Sequence, residues 1–270
     1  MSKIIAVIFM ILFIAFPEAI KEGAKEGIEN GIFVLIPSIF PYMVISNIFI
    51  KTGASEFISN IFYKILRPVF RYTKNFSSFY LISLFCGYPT GARMSAVYEE
   101  KNKRESLRLF SFGNVPGFGF CVSFLGFISG NIKTGIAIYL CFLCSSIILN
   151  YIFSFFLFDN EIIRPQKTEF ENIAVSVTQS VKEAVLSIIN VIGYAVFFSS
   201  ISSLINNKYI GAFLEITSGV PKLKNIYEIV FFTGFSGLSV IFQSLSFKKS
   251  PVPLLFVLFA RFLFALTSVL

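Results

Sequence analysis

The stretch Cys86-Gly87-Tyr88-Pro89-Thr90-Gly91 lies in the middle of an apolar run that extends from Phe76 to Tyr98. Its two glycines permit backbone angles that other residues resist. Pro89 lacks an N–H group, and a proline disfavours helical angles at the residue before it. Lipid cannot pair with the freed backbone groups, so such a break survives only where protein or a water-filled cavity covers it. The stretch therefore predicts a broken helix inside a membrane protein.

The rest of the chain contains further apolar runs near the length of about 20 residues that crosses a bilayer. Hydrophobic residues make up 55% of the chain and charged residues only 14%, whereas a soluble domain has about 25% charged residues. We predict an all-α polytopic membrane protein. Its spans are expected at Lys3–Ile20, Gly31–Ile50, Leu109–Gly130, Thr134–Phe158, Ala184–Ile205 and Pro253–Leu270. The first run also fits a signal peptide.

A second broken run extends from Ile226 to Phe247 and is interrupted by Gly234-Phe235-Ser236-Gly237. Each broken run is read either as a re-entrant hairpin or as a kinked span. Basic residues flank the first run on both sides, and cytoplasmic loops are rich in Lys and Arg. This charge pattern favours a hairpin whose two ends both face the cytoplasm. Counting spans onward then places the second hairpin on the opposite face, with Lys222, Lys224, Lys248 and Lys249 outside.

The order of these elements predicts an inverted repeat with two broken re-entrant hairpins. Residues 1–30 form an N-terminal span and polar linker, 31–158 the first repeat, 159–180 a polar loop and 181–270 the second repeat. Each repeat contains a span, an interfacial segment (Glu56–Arg71 or Gly211–Lys222), a broken hairpin and a span. Secondary transporters with this plan hold their substrate near the midplane, at the broken elements.

The first break is a candidate anion site. A half-helix that begins near Thr90 would direct free N–H groups and the positive end of its dipole at the break. Arg93 lies one turn further along and is either the main anion contact or a side chain that extends to the cytoplasmic surface. The predicted substrate contacts of this break are Gly87, Tyr88, Pro89, Thr90, Gly91 and Arg93.

Neutral polar residues surround the second break and suit a polar substrate, although small residues also serve close helix packing. The predicted contacts there are Ser236, Gly237, Ser239 and Gln243. Three further predicted substrate contacts are Asn114, which begins a Val-Pro-Gly break in the next span, and Glu215 and Thr217, which precede the second broken run. Glu215 either binds a cation or faces water. Arg261 is a charge in the middle of a span, which indicates a functional position, and it either faces the pocket or pairs with an acidic group.

Several classes of function are disfavoured by composition. The chain has no His, the commonest metal ligand and proton shuttle. The pair Cys141 and Cys144 lies in an apolar run and is read as packing. We find no catalytic triad, paired carboxylates or phosphate-binding loop, and the 23 Lys and Arg form no long basic face. We therefore expect no enzyme, no cofactor, no metal site and no nucleic-acid partner.

The segment Gly87-Tyr88-Pro89-Thr90-Gly91-Ala92-Arg93 resembles the Gly-[Tyr/Phe]-Pro-x-Gly-Ala-[Lys/Arg] signature of the nucleoside-recognition, or Gate, domain family. The chain is most similar to sporulation integral membrane proteins of the YlbJ (SpoVV) type. Supporting motifs are Leu35–Pro41, Leu66–Phe70, Phe112–Asn114, Leu214–Gly219 and Gly234–Ser239. Two departures are Val115-Pro116-Gly117 after Asn114, and Val240-Ile241 where many second hairpins have a His.

The resemblance implies a relative of concentrative nucleoside transporters that moves dipicolinate, a small aromatic dianion, from the mother cell to the forespore. It implies a bacterial cell membrane or outer forespore membrane as the location, and membrane lipid and an anionic solute as partners. A homo-oligomer and a coupling ion are left open. The alternatives are a permease for nucleosides or other small solutes, and a membrane scaffold or gating protein that transports nothing.

Overall fold

The computed structural model describes residues 2–97, 99–100, 102–157, 171–205 and 207–270, and none of these residues lies in a strand. Short π-helical turns occur at Gly31–Leu35, Leu109–Gly113 and Phe120–Leu125, and a 3-10 turn at Val220–Lys222. The α-helices are α1 (Ser2–Ala15), α2 (Pro17–Asn30), α3 (Ile36–Lys51), α4 (Ala54–Phe70), α5 (Lys74–Cys86), α6 (Thr90–Val97), α7 (Lys103–Arg108), α8 (Gly126–Ile128), α9 (Ile132–Phe153), α10 (Ile173–Ser202), α11 (Lys208–Leu214), α12 (Ile216–Gly219), α13 (Ile226–Phe235), α14 (Gly237–Leu245) and α15 (Leu254–Val269).

Within the part of the chain that the structure describes, four helical segments are long and apolar enough to cross a membrane: Pro17–Lys51, Ile132–Phe153, Ile173–Ser202 and Ile226–Leu245. Lys3–Ala15 and Leu254–Val269 are shorter apolar helices. Large apolar side chains on the outside of the bundle are exposed, with Leu186 72% and Leu255 81% accessible. Such a surface is suited to lipid. The all-helical class is therefore confirmed, and the long apolar helices are compatible with a membrane protein.

The N-terminal region differs in detail from the predicted span and linker. The first apolar run ends at Ala15, and Pro17 begins a new helix, a position where the missing N–H of a proline is harmless. The polar segment after it is helical and continues into α3. A Cβ on Gly23 would lie 2.5 Å from the Ser199 backbone oxygen, and one on Gly27 2.6 Å from Val196 Cα. These glycines allow α2 to pack closely against α10.

The first broken run brings its two ends together. Helix α5 stops at Cys86, α6 starts at Thr90, and the two helices pack against each other. Thr73, which precedes α5, donates its backbone N–H to Glu105 of α7 over 3.0 Å, and its hydroxyl donates over 2.8 Å. Both flanks of the run therefore lie at one end of the bundle, which we call the first face. Whether that hairpin is re-entrant in a membrane stays a prediction.

Glu105 is fully buried at this first face. Burial raises the pKa of Glu105 to about 7, against the hydrogen bonds from Thr73 and the charge of Arg108, which lower it. The Arg108 guanidinium lies 3.8 Å over the ring of Tyr72, and the Tyr72 hydroxyl donates to Asn150 over 2.6 Å. This buried polar network ties α5, α7 and α9 together.

The second broken run does not place its flanks as expected. Helices α13 and α14 meet at Ser236 but pack on different partners, α13 on α15 and α14 on α10. Beyond α14, Lys248 Nζ lies 3.2 Å from Glu99 and donates to Ser106 Oγ over 2.7 Å. Lys248 therefore lies at the first face, whereas the sequence placed it on the opposite one. Burial lowers the pKa of Lys248, although the Glu99 carboxylate raises it.

The other end of this run lies at the second face, defined by two contacts. Lys208 Nζ lies 3.8 Å from Glu228 near the start of α13, and Lys222 Nζ lies 3.3 Å from Glu26. The run thus extends from one face to the other as an interrupted helix. A left-handed Ser236 (φ 83°) followed by Gly237 (φ 65°) interrupts the helix without reversing the chain. The sequence showed the break but not its direction.

A compact pair of helices, α11 and α12, lies immediately before the second broken run. Helices α11 and α12 fold back on each other around Glu215. A Cβ on Gly219 would lie 2.1 Å from the Ala212 backbone nitrogen, so only a glycine permits this approach. The pair occupies the segment that was predicted to be interfacial, Gly211–Lys222. Its buried end points into the centre of the bundle, next to α14.

Candidate functional site

The interrupted helices meet at the centre of the protein. The hydroxyl of Tyr88, in the first break, donates to the Thr233 backbone oxygen over 3.1 Å and lies 2.9 Å from Ser236 Oγ. Tyr88 is 4% exposed and Ser236 1%. A direct polar contact therefore joins the break between α5 and α6 to the break between α13 and α14.

Arg261 of α15 joins two breaks through its guanidinium. One terminal nitrogen donates to the Asn114 backbone oxygen over 2.8 Å, and the other donates to the Gly234 backbone oxygen over 2.9 Å and to Ser236 Oγ. The side chain is 4% exposed, and its Nε has no hydrogen-bond partner among the residues that the structure describes. No acidic side chain of the described residues forms a salt bridge with it. Among the described residues the charge is therefore held by backbone and hydroxyl dipoles and by the ring of Phe264, whose centre lies 4.9 Å from the guanidinium carbon.

Asn114 holds the third break in place. Its side-chain oxygen accepts the Ala92 backbone N–H over 3.2 Å, and its side-chain nitrogen donates to Ser244 Oγ over 2.9 Å. A Cβ on Gly91 would lie 2.7 Å from Asn114 Cα. The predicted contacts Gly91 and Asn114 thus lie against each other, and one amide connects α6 to α14.

The two backbone breaks also touch directly. Gly87 has φ 70°, and a Cβ placed on it would lie 2.1 Å from the Gly117 backbone nitrogen. Pro89 follows Tyr88 and precedes α6. No described residue forms a hydrogen bond with the buried Thr90 hydroxyl. The segment from Gly87 to Thr90 therefore crosses the segment from Asn114 to Gly117 with no side chain between the glycines.

Glu215 is a buried carboxylate at the end of the α11–α12 pair. One of its oxygens accepts from Thr217 Oγ1 over 2.6 Å and from the Ser218 backbone N–H over 2.8 Å. The other oxygen accepts from the Ser239 hydroxyl over 3.5 Å. Glu215 is 2% exposed and forms no salt bridge with the described basic residues. The hydrogen bonds from Thr217 and Ser218 orient the carboxylate, and its second oxygen faces α14.

Two small cavities lie on either side of the start of α14. The first measures about 20 Å³, and its polar lining is Tyr88, Glu215, Ser239 and Gln243. The Gln243 side-chain nitrogen is buried and has no hydrogen-bond partner within the described part of the chain. The second measures about 10 Å³ and is lined by Asn114, Ser236 and Arg261, among others. A water molecule needs roughly 10–15 Å³, and ligand pockets measure about 300–1,000 Å³. The site is therefore closed.

Some predicted residues lie apart from these cavities. Arg93 pairs with Glu183 of α10 at 3.7 Å, and Lys51 lies 3.0 Å from the same carboxylate. Arg93 is absent from the lining of either cavity. Gly237 lies at the start of α14, where an added Cβ would meet Ile216 Cγ2 at 3.1 Å. Its contact is with the α11–α12 pair.

Sequence reasoning gave Arg261 no partner and did not include it among the predicted contacts. The available signal was the presence of a charge in the middle of an apolar segment, which is costly unless it has a role. Its partners are backbone carbonyls, and a sequence pattern does not reveal which carbonyls a break releases. Ser244, which binds Asn114, was also missed because a single Ser in an apolar helix carries no signal.

The described residues contain no group of three or more His, Cys, Asp or Glu that could hold a metal ion. Cys86, Cys121, Cys141 and Cys144 are free cysteines. In comparisons with protein families, curated proteins and solved structures, no family model, curated protein or solved structure matches the chain. The site is therefore interpreted from its own geometry.

Proposed function

We propose that this membrane protein is a transporter-like inverted repeat that moves a small anionic solute, with dipicolinate moving from mother cell to forespore as the first candidate. The observation that supports this most is Arg261. It is a buried guanidinium without an ion-pair partner among the described residues, held by carbonyls of two separate breaks. A buried charge without a partner is expensive. An anionic solute would supply the missing charge.

Within this proposal the two hairpins are α5–α6 and α11–α12. Each is followed by an interrupted segment, broken at 114–117 in one half and at Ser236 in the other, and each half closes with an apolar helix, α9 or α15. The flanks of the first hairpin lie at the first face and Lys208 and Lys222 at the second face. Opposite entry of two such hairpins is the plan of inverted-repeat transporters.

The closed site implies movement during transport. The cavities of about 20 Å³ and 10 Å³ do not accommodate an aromatic dicarboxylate. Separation of the breaks would release the groups that now bind each other, chiefly Arg261, Ser236 and the side chain of Asn114. A guanidinium released in this way presents a planar pair of donors that matches a carboxylate in two hydrogen bonds. The proposal therefore assigns the anion contact to Arg261.

A nucleoside or similar neutral solute is the second candidate, because of the first cavity. Glu215, Ser239 and Gln243 line the same cavity, and the buried Gln243 amide nitrogen has no hydrogen-bond partner among the described residues. A carboxylate, a hydroxyl and an amide suit the hydroxyls and the base edge of such a solute. The remaining alternative, a scaffold or gating protein, predicts that no solute crosses the membrane.

The test is uptake by the purified full chain in sealed vesicles, with labelled dipicolinate, labelled uridine and protein-free vesicles compared. Saturable dipicolinate uptake that unlabelled dipicolinate blocks and uridine does not would support the first candidate. Saturable uridine uptake alone would favour the second. Uptake of neither solute above protein-free vesicles, tested with sodium and proton gradients of both directions, would contradict transport of both candidates.

A further inference from the structure

Helix α4 has three distinct surfaces, which follow from its sequence at 3.6 residues per turn. One surface is buried against α5 and contains Ser55, Ser59 and Phe70. The second is apolar and exposed, and it contains Phe57, Ile61, Phe62, Ile65 and Val69. The third is polar and contains Asn60, Tyr63, Lys64 and Arg67. A helix with one side on protein, one apolar side and one basic side fits the plane of a membrane interface.

The polar surface carries a basic groove. Tyr63, Lys64, Arg67, Pro68 and Arg71 line an open groove of about 470 Å³. The Arg67 guanidinium carbon lies 5.6 Å from the centre of the Tyr63 ring, and that of Arg71 lies 4.3 Å from the centre of the Phe155 ring. These ring contacts hold the guanidinium groups at the edge of the bundle. Among the residues that the structure describes, no acidic side chain lines the groove.

The charges of Lys64 and Arg67 are not neutralised within the helix. Lys64 and Arg67 are exposed, and neither forms a salt bridge with a described acidic residue. Glu56, the only acidic residue of α4, lies about two turns before Lys64. The exposed apolar surface directly beside the groove, with Ile65 64% accessible, would lie at the level of the acyl chains. A group with a negative head and apolar tails therefore matches both surfaces at once.

We propose that this groove binds the phosphate of an anionic phospholipid in the leaflet at the first face, with the acyl chains against the exposed apolar surface of α4. Arg67 offers a planar pair of donors to the phosphate, and Lys64 adds a point charge. Basic residues next to a membrane surface attract anionic lipid. The site is separate from the central cavities, and it does not depend on which solute the protein moves.

The test uses the full chain in detergent, titrated with phosphatidylglycerol or phosphatidylcholine, and bound lipids are counted by native mass spectrometry. The variant Lys64→Gln/Arg67→Gln should bind phosphatidylglycerol on the order of 25-fold more weakly, at about fivefold for each charge. Its binding of phosphatidylcholine should not change. The matched control is Lys133→Gln/Lys224→Gln, which removes two exposed charges elsewhere and should bind both lipids like the wild type.

A charge-preserving variant, Lys64→Arg/Arg67→Lys, separates charge from packing and should keep binding within a few-fold of the wild type. Inorganic phosphate at millimolar concentration should not displace phosphatidylglycerol, because the acyl chains contribute to binding. Wild-type lipid retention by the double Gln variant would overturn the proposal, as would an equal loss in the control. Displacement by inorganic phosphate alone would also overturn it, because the groove would then bind free phosphate.

Discussion

Replacing Arg261 by Lys tests the proposed anion contact while keeping the positive charge. The Arg261 guanidinium reaches the Asn114 carbonyl at 2.8 Å with one nitrogen and the Gly234 carbonyl at 2.9 Å with the other. A lysine ends in one nitrogen on a shorter side chain, whereas the arginine reaches the two carbonyls with two separate nitrogens. The variant should therefore keep one of these bonds, lose the other, and offer a carboxylate one contact point in place of two.

The expected magnitude follows from those bonds. A hydrogen bond to a charged group contributes about 1.5–3 kcal/mol. If the lost bond is one that the transition state of transport needs, kcat/KM for dipicolinate uptake falls by roughly 10- to 150-fold, at about 1.4 kcal/mol for each factor of ten. Arg93→Lys should cost less than about threefold, because a lysine can keep the partly exposed ion pair with Glu183.

The assay is initial-rate uptake into vesicles, with the amount of inserted protein measured by immunoblot and monodispersity by size-exclusion chromatography. Ser268→Ala is the matched control on α15, because the buried Ser268 hydroxyl donates only to Phe264 of its own helix, over 2.7 Å. Uptake by Arg261→Lys equal to that of Ser268→Ala would refute the assignment. A larger loss in Arg93→Lys than in Arg261→Lys would transfer the anion contact to Arg93.

Three further outcomes are expected. Ser239→Ala should weaken uptake and leave membrane insertion intact, whereas unchanged kinetics would assign Ser239 to packing. In a cysteine-free background, Lys249→Cys and Lys103→Cys should label from the same side of the membrane and Lys224→Cys from the other side. Labelling of Lys249→Cys and Lys224→Cys from one side would instead support the hairpin that the charge pattern predicted for the second broken run. Burial raises the pKa of Glu105 from 4.5 to about 7, so the folded state binds more protons than the unfolded state between these two pH values. Stability should fall as pH rises from 4.5 to 7, and Glu105→Gln should flatten the change in Tm that wild-type protein shows between pH 5 and 8.

The sequence predicted the helical class and the positions of the three breaks because both depend on local chemistry. Apolar length indicates a span, and glycine and proline indicate where a helix must stop. The contact between Thr73 and Glu105 agrees with the basic flanks that favoured a hairpin in the first run. That reasoning used only the charges next to the run, which is why one sequence was enough.

The direction of the second break could not be predicted in the same way. Gly234-Phe235-Ser236-Gly237 resembles a hairpin tip, yet the chain continues towards Glu99 and Ser106. Two left-handed residues redirect a helix by an angle that depends on its neighbours, here α15 for α13 and α10 for α14. The folded pair around Glu215 was hidden for a related reason, because α11 and α12 are too short to produce a clear apolar period.

In the candidate site, too, the sequence singled out some of the residues that lie together and missed what depends on packing. Tyr88, Asn114, Glu215, Ser236, Ser239 and Gln243 were singled out as polar residues near breaks, and the structure gathers them at the two cavities. Arg93 was singled out because it is one turn from a break, but its side chain lies next to Glu183. Distance along the sequence gives the position of a residue on the helix axis, whereas the direction of its side chain depends on packing between distant segments.

The contact between Gly87 and Gly117 also affects how mutational scans of this protein should be read. An alanine at Gly87 would place its methyl carbon 2.1 Å from the Gly117 backbone nitrogen, so the two backbone segments would have to move apart. Both positions would therefore rank among the least tolerant in a scan scored by activity or growth, although neither has a side chain that a solute could contact. Intolerance there would report excluded volume, and a chemical role is better sought at positions where conservative polar exchanges are the damaging ones.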